Sequence, residues 1–449
     1  MPQTWRFDAE NCSEYINMEW WKQFQDPVLD ELMKTALQNN QDLKVATAAV
    51  LEFYAQYRIV ASQFCPQVSL QGNFDRNKFS EAIVGQAFVP RVYNLFSLLM
   101  NMSYEVDFWG RIRNATDSAK ADFLGQVESR RTVILTLVTS LAGAYIQLKE
   151  FDAQLVISKE TYESRVVSWN IAIARYKAGL VSEMEVKQAE SEANSAEVQI
   201  KNFEILIGQQ EDLISVLLGE APGPILRSVP LTDLALPVSI PSGLPSQLLE
   251  NRPDIVQAEL AIISANAQIG VARAAFFPTI SLTGLQGKRS TSIRDFLNNA
   301  ASLFDYDVQA FQELYTGGRL TYQVREAQAK TSQAVHTYLQ TILTAFQEVE
   351  DALIAYQKNQ EKLVIQKEQV SALALYLKLA LLRYNNGQND YLTVLDAESS
   401  LFDAQLSLAQ TQADIFLSLI NLYKALGQGW DVEEEKMDAE CETKALKNS

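Results

Sequence analysis

Acidic side chains are the residues of this chain best suited to chemistry, yet their arrangement points away from catalysis. Glu348, Glu350 and Asp351 crowd one helical stretch and could in principle form an acid and base pair, but on a long helix such a run reads as a solvated face. His336 is the only histidine, which excludes a histidine-based triad and a multi-histidine metal site, and it is expected to sit on or beside its helix. No Walker or dinucleotide glycine pattern occurs. Cys12, Cys65 and Cys441 are far apart and lack metal spacing. No cofactor, no metal and no enzymatic reaction is expected. Two further acid pairs behave differently: Glu105 with Asp107, and Asp305 with Asp307, alternate with apolar residues at the period of a β-strand and occupy its polar side.

The elements that carry these acids come in duplicate. Arg175, Tyr176 and Gly179 recur as Arg383, Tyr384 and Gly387, and Val186, Ala189, Glu190 and Ser191 as Val394, Ala397, Glu398 and Ser399, at a constant offset of 208. Upstream, Asn39, Asp42, Phe64 and Pro66 return as Asn251, Asp254, Phe276 and Pro278 at an offset of 212. The chain is therefore a tandem duplication whose two units pack on each other. From Arg111 to Lys177, and from Arg319 to Asn385, proline is absent, glycine is nearly so, and apolar residues recur at helical spacing. Each such helix would extend roughly 100 Å. Gly179 and Gly387 end them in short polar turns. Return helices are predicted over Ser182–Leu218 and Asn389–Leu426, and half-length helices over Pro27–Gln63 and Ser246–Ala275. A return helix stacked end to end on a half-length piece matches the long helix, giving a long rod of antiparallel helices that could be solid or hollow.

Four segments alternate with period two: Gln67–Phe74, Leu98–Phe108, the stretch around Ile280 and Leu282, and Phe304–Ala310. They form two hairpins inserted between helices. Their apolar sides need an apolar medium that the departing helices do not supply, and lipid serves if the sheet closes. Four strands are too few to close, so an oligomeric barrel is implied. No run reaches 18 consecutive apolar residues, so no membrane-spanning helix is expected. The net charge of −17 disfavours nucleic acid as a partner. A proline-rich linker follows Gly219, and the tail from Asp431 is charged and without pattern.

Six short strings, in order within the duplicated frame, carry a resemblance over essentially the whole length. They are Phe108-Trp-Gly-Arg111, Asn251-Arg-Pro-Asp-Ile255, Ala274-Ala-Phe-Phe-Pro278, Thr316-Gly-Gly-Arg319, Arg383-Tyr-Asn-Asn-Gly387 and Tyr391-Leu-Thr-Val-Leu-Asp-Ala397. The chain resembles the TolC-type outer-membrane efflux proteins, closest to the drug-efflux branch. The resemblance implies a fold that is mainly α with membrane β: a homotrimer whose twelve strands close a barrel in outer-membrane lipid, continued by a twelve-helix α-barrel through the periplasm. It implies residues 1–26 as the N-terminal part of an equatorial belt, 27–64 as a barrel helix, 65–110 as the first β-hairpin and 111–218 as the first long helical hairpin. Residues 219–245 become the inter-repeat linker, 246–275 a barrel helix, 276–318 the second β-hairpin, 319–427 the second helical hairpin and 428–449 the C-terminal belt segment and tail. Implied partners are a periplasmic adaptor and an inner-membrane pump, a proton-driven drug exporter; metal efflux and type I protein secretion are the alternative duties of such a duct. A soluble helical scaffold is the reading from another class. Related channels begin with a signal peptide and a lipid-modified cysteine; Met1 is followed by no hydrophobic stretch, so a mature form is one expectation and lipidation stays open.

The resemblance also distributes roles. Leu392 and Asp396 fall on the gate constriction, an apolar ring and an acidic ring, with Tyr391 and Ser399 as support. Many relatives carry an arginine at the position of Ser399, so a charged latch is not expected here. The tips, Gly179, Leu180, Val181 and Ser182 with Gly387, Gln388, Asn389 and Asp390, resemble adaptor-docking grooves. Glu105, Asp107, Asp305 and Asp307 become lumen acids that favour cations. Leu392 and Asp396 correspond to Met184 and Gln188 in the first copy, which makes the second tip the better moving gate.

Overall fold

The computed structural model describes residues 19–78, 92–234 and 248–430. Cys12, Cys441, Pro237, Pro241, Pro245, most of the N-terminal belt segment and the tail from Asp431 lie outside the described residues. The chain is mainly helical with one small sheet and separates into two compact units. The first comprises residues 1–47, 128–256 and 340–449, the second residues 48–127 and 257–339.

The elements run in the order α1 (Pro27–Asn39), α2 (Gln41–Ala61), β1 (Gln67–Lys78), β2 (Val92–Val106), α3 (Arg111–Lys177), α4 (Glu183–Leu218), α5 (Leu248–Asn251), α6 (Pro253–Ala274), β3 (Thr279–Ser290), β4 (Ser302–Phe311), α7 (Arg319–Asn385) and α8 (Tyr391–Ala425). The two 67-residue helices α3 and α7 have the ranges predicted from periodicity.

Each half-length helix departs from expectation by breaking in two. Asn40 stops α1, accepts the Leu43 N–H on Oδ1 as the cap of α2, and donates its side-chain amide to Leu217 O at 2.9 Å. Gly219 ends α4 with φ 75°, and a Cβ there would lie 2.5 Å from Asn39 O. The second copy rebuilds this joint with other residues. Pro253 has no N–H to continue α5 and opens α6, while Arg252 reaches Asp254, Glu348 Oε2 at 2.7 Å and Ala425 O at 2.9 Å. Gly427, φ 71°, packs on Arg252. Helix α4 thus abuts the start of α2, and α8 abuts the start of α6, each pair of 36 with 21 and 35 with 22 residues falling short of the 67-residue helices.

The core of the first unit surrounds the start of the described chain. Trp20 stacks on Tyr423 with ring centroids 4.9 Å apart, and Phe24 meets Phe416 edge-on. Lys149, almost wholly buried on α3, is balanced by Asp26 at 2.8 Å and donates also to Ser228 Oγ and Val229 O. Burial raises the Asp26 carboxyl, but Lys149, Ser228 and the Leu29 amide outweigh it and hold the group below its usual range. One carboxylate therefore caps α1 and pins the inter-repeat segment to α3.

In the second unit the two hairpins pair through β2 and β3 into a single antiparallel sheet, order β1-β2-β3-β4. Register aligns Leu70 with Met100, Met100 with Gln286, Tyr104 with Leu282 and Leu282 with Val308. One face consequently carries an apolar surface across all four strands, and it is open: Leu70 is 71% exposed, Phe304 73% and Val308 71%. At the helical end of the sheet Trp109 stacks on Phe277 at 4.5 Å and donates its indole N–H to Pro278 O.

Averaged hydropathy qualifies one expectation. Helices α3 and α6 each hold an 18-residue stretch long and apolar enough to cross a membrane, because scattered polar residues do not cancel their alanines, valines and isoleucines. The stretch in α3 is 67% buried as core; that in α6 is 17% buried, most of its residues being half-buried.

Candidate functional site: helix tips and strand acids

The two tips share one backbone solution. After α3 the Gly179 N–H reaches Tyr176 O and the Leu180 N–H reaches Arg175 O; after α7 the Gly387 N–H reaches Tyr384 O and the Gln388 N–H reaches Arg383 O. Both glycines have φ near 70° and open space where a Cβ would stand, so backbone conformation alone demands glycine. Asp390 caps α8 through the Thr393 N–H, whereas Ser182 makes no such bond at α4. Gly179, Leu180, Ser182, Gly387, Gln388 and Asp390 are exposed, and Val181 and Asn389 half-buried. Leu180 at 70% and Met184 at 66% leave an apolar knob on the first tip.

Beneath the tips lies a small core of Ala172, Ala189, Ala380, Tyr384, Tyr391, Val394, Leu395 and Ala397. Tyr391 is therefore a packing residue, its ring 5.3 Å from that of Tyr384. Leu392 and Asp396, one turn apart, point away from this core and are exposed. With Ser399, Gln188, Glu192 and Tyr376 they line a cleft of about 670 Å³.

Sequence reasoning missed the polar ties among the tip helices. Tyr384 Oη donates to Glu185 Oε2 at 3.1 Å, joining α7 to α4, and Arg175 of α3 lies 4.4 Å over the Tyr384 ring. Arg165 is buried and meets Glu192 Oε2 at 3.1 Å; Ser168 Oγ donates to Glu398 Oε1. Burial pushes the Glu398 carboxyl up, with Arg165 opposing. No sequence signal singles out Tyr384, because its counterpart Tyr176 is also a tyrosine; the copies differ only once folded, Tyr176 being 45% exposed and Tyr384 7%.

The strand acids divide. Glu105 is held by two guanidinium nitrogens of Arg111, Nε at 2.8 Å and Nη2 at 2.7 Å. Asp107 lies beyond β2, which ends at Val106; its carboxylate turns back to accept the Ile112 and Arg113 N–H groups and caps α3. The alternation continued past the strand only in sequence. Asp305 and Asp307 remain exposed on β4, opposite Leu285 and Thr283. Among the described residues no group of histidines, cysteines and acids is arranged to hold a metal.

Known proteins match this architecture. The outer membrane efflux protein family matches residues 32–220 and again 244–428, one match per repeat. The chain is 35% identical to the probable efflux pump outer membrane protein TtgC of Pseudomonas putida over 413 residues, 91% of this chain and 85% of TtgC. It is 32% identical to the cation efflux system protein CusC of Escherichia coli, over 93% of this chain and 90% of CusC. The MtrE outer membrane channel of Neisseria gonorrhoeae superposes with a TM-score of 0.85 at 26% identity, covering 96% of both chains. The duplicated helical hairpins, the open apolar sheet and these full-length matches make the chain a member of the outer membrane efflux protein family, an efflux channel of the Gram-negative outer membrane.

Proposed function

We propose that three copies close a twelve-stranded barrel in the outer membrane and a twelve-helix barrel below it, forming a passive exit duct for small molecules. The observation that carries this reading is the apolar face shared by four strands whose two edges, β1 and β4, are unpaired among the described residues. Such a face is stable in hydrocarbon only when every backbone group is paired, which requires further copies. The incompletely buried apolar stretch of α6 finds its cover in the same assembly.

The duct closes at the second tip. Leu392 forms the apolar constriction and Asp396 the acidic ring, with Tyr384 and Glu185 tying α7 to α4 behind them. The exposed tip residues dock a periplasmic adaptor, and a proton-driven inner-membrane pump supplies energy and selectivity. No covalent step belongs to the channel. Metal efflux is the second reading, favoured by the likeness to CusC, a cation efflux system protein. The chain should fractionate with outer membrane and migrate as a detergent-stable trimer, and Leu392→Ala with Asp396→Ala should raise conductance in planar bilayers. Release into buffer without detergent would instead identify a soluble helical scaffold, and unchanged conductance would place the seal elsewhere.

A further inference from the structure

The excess negative charge of this chain is confined to one of its units. Residues 48–127 and 257–339 carry fourteen lysines and arginines against thirteen acids, in a chain whose net charge is −17. Within that near-neutral unit the antiparallel order brings the start of β1, the end of β2, the start of β3 and the end of β4 to one end of the sheet. Every helix that meets this end contributes an arginine within nine residues of its strand: Arg58 from α2, Arg111 and Arg113 from α3, Arg273 from α6 and Arg319 from α7. Arg111 is committed to Glu105 and Arg319 to Glu313. Arg58, Arg113 and Arg273 are exposed and their guanidinium groups form no ion pair among the described residues, Arg113 meeting the Asp107 carboxylate only through its backbone N–H. The macrodipole accounts for cations in the last turns of α2 and α6 but opposes Arg113 in the first turn of α3.

The same end of the sheet is ringed with open aromatic surface, including Phe108 at 70% and Tyr315 at 92% exposed, and continues directly into the apolar strand face. Exposed aromatic rings and these cations toward one end of the strands that face hydrocarbon in the barrel reading match the layered chemistry of a lipid interface, where acyl chain, glycerol and phosphate follow in order. We infer that Arg58, Arg113 and Arg273 form a binding collar for the phosphate of anionic phospholipid in the periplasmic leaflet. The inference rests on the membrane-barrel reading above. The collar selects net negative headgroups such as phosphatidylglycerol over zwitterionic phosphatidylethanolamine, since an ammonium on the same headgroup offsets the arginine field.

Native mass spectrometry of the detergent-purified channel, offered equal phosphatidylglycerol, phosphatidylethanolamine and lipid A, tests this. Phosphatidylglycerol should be retained several-fold over phosphatidylethanolamine, and the Arg58→Gln, Arg113→Gln, Arg273→Gln variant should lose that preference. Lys330→Gln, equal in charge change per site but away from the collar, should keep it. The corresponding triple change to lysine should retain a preference, which separates lost charge from lost structure. Thermal unfolding of the wild type in vesicles of each lipid supplies a readout free of mutation, with the higher midpoint expected in phosphatidylglycerol. Equal retention of the two lipids, preference surviving the glutamine variant, or stronger retention of lipid A than of phosphatidylglycerol would overturn the inference. A protein absent from the membrane fraction would instead overturn the barrel reading itself.

Discussion

Replacing Tyr384 by phenylalanine should loosen the second tip while leaving its core in place. The substitution removes one oxygen: the ring keeps its packing on Tyr391 at 5.3 Å and its place 4.4 Å beneath the Arg175 guanidinium. What disappears is the 3.1 Å hydrogen bond to Glu185 Oε2. Hydrogen bonds to a charged acceptor contribute about 1.5–3 kcal/mol, and the partial exposure of Glu185 favours the lower end, about 1.5 kcal/mol. If the bond exists only while the tip is closed, its loss favours opening roughly tenfold per protomer. A trimer whose tips move together would multiply three such terms, to roughly a thousandfold in the open-to-closed ratio. Single-channel recording in planar bilayers reads this as open probability. Glu185→Ala should act in the same direction, and the double variant should add little to either single change. An intact Tyr384→Phe trimer with unchanged open probability, or fully additive effects of the two changes, would refute the assignment of this bond to gating.

Other expectations follow from the same geometry. Because Arg111 neutralises Glu105 and Asp107 serves as a cap, cation preference should rest on β4: Asp305→Asn with Asp307→Asn should move the reversal potential in a potassium chloride gradient toward zero, while the charge-neutral pair Glu105→Gln with Arg111→Gln should barely change it. Glu150, buried and facing Asp414, has its carboxyl pushed up to about 7 by burial first and by Asp414 second. A raised acid stabilises the fold below its unfolded value and loses that contribution as pH rises toward 7, so Glu150→Gln should be the more stable form at pH 8 by up to about 3 kcal/mol, the gap closing toward pH 4.5; thermal melts at both pH values check it. Lys149→Met leaves Asp26 buried without its cation and should cost about 3–5 kcal/mol, seen as a lower denaturation midpoint.

What could be read from the chain depended on the range of the interaction. The long helices α3 and α7 were legible to the residue because neither contains proline and both end at a glycine that the backbone requires. Strand faces were legible because the period of two survives any register, and the observed register did join Leu70, Met100 and Val308 on one side. Strand ends were not, since Asp107 looks like the next residue of an alternating run until its carboxylate turns to the amides of α3. The break at Asn40 escaped for a similar reason, since it depends on a partner at the opposite end of its repeat, whereas the break at Arg252 carries a local mark in Pro253. The bond between Tyr384 and Glu185 spans 199 positions and leaves no local trace.

The joints at Asn40 and Arg252 also bear on the order in which the protein can fold. Asn40 waits for Leu217, 177 positions later, and Arg252 for Ala425, 173 positions later. Loop closure over such distances is slow, and the start of each half-length helix stays without its neighbour until synthesis of its repeat is nearly complete. During that interval the strands between them present unpaired edges and open apolar side chains, the state most prone to aggregate. Each repeat is thus a closure event timed by its last residues, and shortening the chain by only the segment around Gly427 should leave the second repeat unable to close while the first still can.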